Sequence, residues 1–74
     1  MKHFNEKWTA DVVGRLHYLD VTQKEFAYFM GVSPPYLSSV LNGKKKFESE
    51  YAKRMTQKRV EQALKLLEYE LTSE

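Results

Sequence analysis

The stretch from Thr22 to Lys46, TQKEFAYFMGVSPPYLSSVLNGKKK, holds both prolines and two of the three glycines of a 74-residue chain. Thr22 and Glu25 have the spacing of a capping box, in which the threonine hydroxyl accepts from the third backbone N–H and the glutamate accepts from the threonine N–H. A helix is therefore predicted from Gln23 to Met30, ending at Gly31, because glycine adopts the left-handed conformation without a Cβ clash. Ser33 is placed to cap a further helix, with Pro34 and Pro35 in its first turn, where an N–H has no helical acceptor in any case. A residue before proline avoids the α region, so an extended Pro34 with Pro35 as first helical residue is the alternative start. Leu37, Val40 and Leu41 form the apolar face, and Asn42-Gly43 closes the helix. The segment is thus confined to two short helices joined by a tight turn.

Helical periodicity also organises what lies on either side. Trp8, Val12, Leu16 and Leu19, with Val13 beside them, make a stripe that predicts a helix from about Glu6 to Leu19, with Asn5 as its cap. Gly14 inside it marks either close approach of another backbone or a tolerated interior glycine. Beyond Phe47 there is neither glycine nor proline. Ala52, Met55, Val60, Ala63, Leu64, Leu67 and Leu71 predict one long helix from about Ser49 to Thr72, with a break near Gln57 as the alternative. No strand, repeat or linker is evident. The expectation is an all-α, compact four-helix domain spanning residues 1–74, or a five-helix one if the last segment breaks.

Length and composition narrow the function. A chain this short hides only about 60% of its unfolded surface, so its core is modest and a separate sensing domain does not fit. It has no cysteine, hence no disulfide framework and no thiolate zinc site. The N-terminal charges Lys2, Glu6, Lys7 and Asp11 interrupt any apolar run, which argues against a signal peptide or membrane span and for a cytoplasmic protein. Net charge is only +2, but Lys44 to Arg59 contains seven Lys or Arg against Glu48 and Glu50, while Glu68 to Glu74 contains three acids and no base. That asymmetry suggests a nucleic-acid face and a face turned from it. His3 and His17 are the only histidines, the acids are scattered, and no phosphate-cradling glycine loop is present. No enzyme, metal site or cofactor is expected.

Two helices around a glycine turn make a helix-turn-helix, and its interior positions are demanding. Phe26 must face the core, Ala27 must be small where the helices cross, Gly31 must turn, and Val32, Leu37 and Val40 must fill the angle. With these residues, the Gln23 start and the terminal NGK, the segment resembles the lambda-repressor-like, Cro-like or xenobiotic-response-element family of regulators. The resemblance is strong over 22–46 and looser over the first helix. It implies sequence-specific binding of double-stranded DNA, commonly by a homodimer on a palindromic operator, with the second helix in the major groove. The family commonly has five helices, whereas four are read here.

Carried over by position, the family's phosphate-contacting start of the first motif helix falls on Gln23, with Lys24 beside it. The base-reading positions fall on Pro34, Pro35, Tyr36, Ser38 and Ser39. Asn42 and the loop lysines Lys44, Lys45 and Lys46 fall where the family touches the duplex backbone. Proline cannot make the bidentate purine contacts that glutamine or arginine makes, so readout is expected to lean on shape and apolar contact, with Tyr36, Ser38 and Ser39 as polar readers. Tyr28 and Phe29 are unusual on a surface that this family keeps polar. They are covered by the N-terminal arm, Phe47 or the last helix, or they form a partner site. Leu64, Leu67 and Leu71 pose the same choice between core and dimer seam. The resemblance to stand-alone phage or mobile-element regulators implies a repressor. A protein-interaction module on the same fold, such as an antirepressor, an antitoxin or an inhibitor of a host defence protein, is the alternative.

Overall fold

The computed structural model describes residues 6–73. Four helices account for most of them: α1 (Glu6–Tyr18), α2 (Gln23–Met30), α3 (Pro34–Leu41) and α4 (Glu50–Thr72), with no strand among the described residues. Asn5 and His3 lie outside that range. The last helix is continuous through Gln57, so the four-helix reading holds and the five-helix one does not. Its 23 residues would extend about 34 Å at helical rise, which is why a body 22 × 18 Å across is 42 Å long.

The helix starts follow local chemistry. Thr22 and Glu25 form the capping box in both directions, with the Glu25 N–H donating to Thr22 Oγ1 at 3.0 Å and the Thr22 N–H donating to Glu25 Oε1 at 2.9 Å. Ser33 Oγ accepts from the Tyr36 N–H at 3.2 Å, and Ser49 Oγ from the Ala52 N–H at 3.1 Å. Both prolines are helical, at the first two positions of α3, which settles the start at Pro34; Ser33 before them is extended, as the residue before a proline prefers.

The first three helices end in one way. Val21, Val32 and Lys44 each donate a backbone N–H to the carbonyl five residues back, at 2.9, 3.0 and 2.9 Å. The residue before each of them, Asp20, Gly31 or Gly43, is left-handed with φ of 59°, 78° or 73° and donates to the carbonyl three back. This is the Schellman arrangement, and its left-handed position favours glycine. Asp20 is the exception: a non-glycine residue in a region that disfavours a Cβ, with its carboxylate at the negative end of α1. It ends α1 one residue before the expected Leu19, whose N–H still reaches the Arg15 carbonyl at 3.0 Å.

The core draws on every helix: Val12 and Leu16 of α1, Phe26 and Ala27 of α2, Leu37, Val40 and Leu41 of α3, and Val60, Leu64 and Leu67 of α4. Val32, in the turn, packs against it, so the angle between α2 and α3 is filled by the residues its geometry demands. Two side-chain bonds tie α4 to α1. The Trp8 indole N–H donates to Glu61 Oε2 at 2.6 Å and Arg15 Nη2 donates to Glu68 Oε1 at 2.7 Å. Trp8 to Arg15 and Glu61 to Glu68 are equal steps of two turns, so α1 and α4 run in the same direction. Arg15 and Glu68 are each over a third exposed or close to it, which limits that pair to at most about 1 kcal/mol.

Gly14 is not a close-approach glycine: a Cβ there would meet nothing within 4 Å, and the position is exposed. A Cβ at Gly31 also meets nothing, but there φ is 78°. The same substitution should therefore have opposite signs at the two sites. In urea unfolding, Gly14→Ala is expected to stabilise by up to about 1 kcal/mol, and Gly31→Ala to destabilise by about 1–2 kcal/mol. Asp20→Gly is expected to stabilise by roughly 0.5–1 kcal/mol, because it removes both a left-handed Cβ and a carboxylate at a helix C-terminus.

Candidate nucleic-acid interface

A helix turns about 100° per residue, so the burial of Leu37, Val40 and Leu41 fixes what α3 presents to solvent. Pro35, Ser38, Ser39 and Asn42 fall on the opposite side. Pro34 and Tyr36 fall on the two flanks and are half-buried, Tyr36 toward the groove it shares with Met30, Val32, Arg59 and Leu66. The residues expected to meet bases are therefore not one face: three of them look outward with Asn42 between the flanks, and Tyr36 leans toward α4.

Hydrogen bonds inside α3 set the chemistry left for a ligand. Ser39 donates its hydroxyl to the Tyr36 carbonyl at 2.8 Å, which leaves Ser39 Oγ with acceptor capacity only. Ser38 Oγ accepts from Asn42 Nδ2 at 3.1 Å and keeps its own proton. Ser38 and Asn42 are thus the free donors of the outward face, one hydroxyl proton and one amide proton. Sequence spacing could not separate Ser38 from Ser39, because both hydroxyls have backbone or side-chain partners within reach and only packing selects between them.

The start of α3 offers no backbone donor. Pro34 and Pro35 lack an N–H, the Tyr36 N–H is taken by Ser33 Oγ, and the Leu37 N–H by the Ser33 carbonyl at 3.1 Å. Within the α2–turn–α3 unit, free first-turn donors remain only at α2. There the first-turn N–H groups of Gln23 and Lys24 have no helical acceptor, while Glu25 closes onto Thr22. Gln23 is half-buried and Lys24 exposed.

Beyond α3, the Schellman turn at Gly43 fixes where the loop lysines leave the helix. Lys44 and Lys45 both donate their N–H groups to the Ser39 carbonyl, at 2.9 and 3.0 Å. Lys44 and Lys46 are exposed; Lys45 is half-buried and its Nζ lies 5.6 Å from the centre of the Tyr36 ring. Arg54, Lys58 and Arg59 continue the positive charge along the first half of α4, exposed. Among the described residues no group of three or more His, Cys, Asp or Glu is placed to hold a metal ion, and no helix is long and apolar enough to cross a membrane.

No protein-family model, curated protein or solved structure matches this chain.

The apolar residues read as a partner surface divide. Leu64 and Leu67 are core, fully buried and 8% exposed, because α4 turns that side toward α1 and α2; they are not a surface seam. Leu71 is 52% exposed, past the end of the body. Tyr28 and Phe29 are 63% and 40% exposed, so neither is part of the core; the N-terminal arm, one of the candidate covers, lies outside the described residues. Met55, counted in the apolar stripe, is instead 42% exposed, and sequence periodicity missed the exposed Tyr51, Leu66 and Tyr69 on the outer side of α4, since a helix with apolar residues on two sides gives no sign of which one the fold will bury. In chemical denaturation, Leu64→Ala is expected to cost about 2–5 kcal/mol and Leu71→Ala less than about 0.5 kcal/mol; comparable losses would mean that Leu71 is covered in solution.

Proposed function

We propose that the protein is a sequence-specific, double-stranded DNA-binding transcriptional regulator that places α3 in the major groove. The observation that carries this reading is the α2–turn–α3 unit itself. Two capped helices cross over a left-handed glycine with Phe26, Ala27, Leu37 and Val40 buried between them, and the outer face of α3 is left small and polar. This supports the lambda-repressor-like helix-turn-helix resemblance, and with it the expectation of a repressor of phage or mobile-element type acting as a dimer on a palindromic operator. A major groove about 12 Å wide admits such a helix.

The roles follow from the free groups. Pro35 offers a ring for a thymine methyl, Ser38 and Asn42 donate, Ser39 accepts, and Tyr36 and Pro34 border the contact on its two sides. Gln23 and Lys24 meet phosphate through the α2 N-terminus; Lys44 and Lys46 meet it as point charges. With no arginine or glutamine on α3, discrimination draws on shape and apolar contact more than on bidentate pairs.

Tyr28 and Phe29 favour a second reading. Two aromatic residues exposed on α2 suit a protein partner, as in an antirepressor, an antitoxin or an inhibitor of a host defence protein. The two are separated by titrating the protein against DNA from upstream of its own gene at several salt concentrations. The regulator reading expects protection of an inverted repeat with half-sites about one helical turn apart, and binding well above that to scrambled DNA. Equal affinity for both, with recovery of one stoichiometric protein partner that Tyr28→Ala abolishes, would reverse the choice. Replacing Lys44 and Lys46 together by alanine is expected to flatten the log–log salt slope by about 1.8, on any sequence.

A further inference from the structure

The three loop lysines have one chemistry in the sequence and two in the structure. Lys44 and Lys46 are exposed, whereas Lys45 is half-buried with Nζ 5.6 Å from the centre of the Tyr36 ring, within range of a cation–π contact. Three links close a circuit around that contact. Ser39 Oγ donates to the Tyr36 carbonyl at 2.8 Å, the Lys45 N–H donates to the Ser39 carbonyl at 3.0 Å, and Lys45 Nζ returns to the Tyr36 ring. The left-handed Gly43 turns the chain back so that Lys45 runs along the flank of α3 rather than off its end. Tyr36 itself is half-buried and packs against the edge of the core. Its opposite flank borders the groove lined by Met30, Val32 and Leu66, so a ring turned further into that groove would leave the outer face of α3.

We propose that Lys45 is a positioning residue for Tyr36: it holds the ring at the edge of the α3 contact face and so acts on which sequences are preferred, not only on how tightly any duplex is held. The inference rests on the DNA-binding reading above for its consequence, but the pairing itself is a property of the free protein. A lysine drawn to a ring is also withheld from phosphate, so Lys45 should contribute less than Lys44 or Lys46 to the salt dependence of binding.

The experiment has two arms. In the free protein, proton NMR should show the Lys45 Hε resonances shifted upfield of those of Lys44 and Lys46 by the ring current, a shift kept in Tyr36→Phe and lost in Tyr36→Leu. With DNA, each variant is presented with a pool of randomised duplexes, and the affinity for the most enriched sequence is compared with that for a scrambled one. Lys45→Ala is expected to lower that ratio about fivefold, Lys45→Arg to keep it, and Lys46→Ala to leave it within about twofold while flattening the salt slope by about 0.9. Lys45→Ala should add little in a Tyr36→Leu background, since the two then act as one unit. Absence of the upfield shift, or a Lys45→Ala variant indistinguishable from Lys46→Ala, overturns the proposal while leaving DNA binding intact. If the unaltered protein prefers no sequence, the regulator reading fails and takes the discrimination role with it; the NMR arm still reports whether the Tyr36–Lys45 pair forms.

Discussion

The close crossing of α2 over α3 is the constraint on which the rest of the structure depends. Phe26, Ala27 and Val40 are fully buried there and Leu37 nearly so, and each is held at its angle by a turn of three residues, Gly31 to Ser33. A core of this size cannot tolerate a void, since a lost methylene is felt at native packing density. Ala27 must therefore be small and Gly31 left-handed at once. The other two helices complete the burial: α1 supplies Val12 and Leu16, and α4 lies across the open side with Val60, Leu64 and Leu67. The long helix is thus a cover for the two short ones before it is anything else.

The same crossing decides the chemistry of the candidate interface. With one side of α3 committed to the core, its outer face carries Pro35, Ser38, Ser39 and Asn42. The prolines at its start remove the backbone donors that a helix N-terminus usually presents, and Ser33 takes the first that remains. Free first-turn N–H groups remain at α2, and positive charge gathers in the loop after α3, where Gly43 and the Ser39 carbonyl set the exit. Local restraint is the recurring property: a proline pair at one end, a Ser39 carbonyl that accepts from two N–H groups at the other, and an internal Ser39 hydroxyl bond between them.

Local chemistry made much of this legible in advance. Thr22 with Glu25, Gly31, Ser33 before two prolines and Asn42-Gly43 place both ends of α2 and α3, because caps and left-handed turns are satisfied by residues a few positions apart. Other features had no such signal. Asp20 ends α1 in a conformation more typical of glycine, which only the following Val21 bond back to Leu16 explains. The bonds from Trp8 to Glu61 and from Arg15 to Glu68 join residues 53 positions apart, beyond any periodic pattern. Leu71 continues the stripe of Leu64 and Leu67 in sequence yet is exposed, since the helix outruns the body it covers.

The sequence by itself determined α2 and α3, their caps, and the identity of the residues that fill the angle between them, because backbone capping and helical periodicity are short-range effects. Only the tertiary structure decided which side of α4 is buried, that Tyr28 and Phe29 stay exposed, that Ser38 keeps a donor which Ser39 does not, and that Lys45 alone of three lysines meets an aromatic ring. Each of those depends on how helices dock, and docking is settled by the shape of a shared core, which no window of neighbouring residues contains.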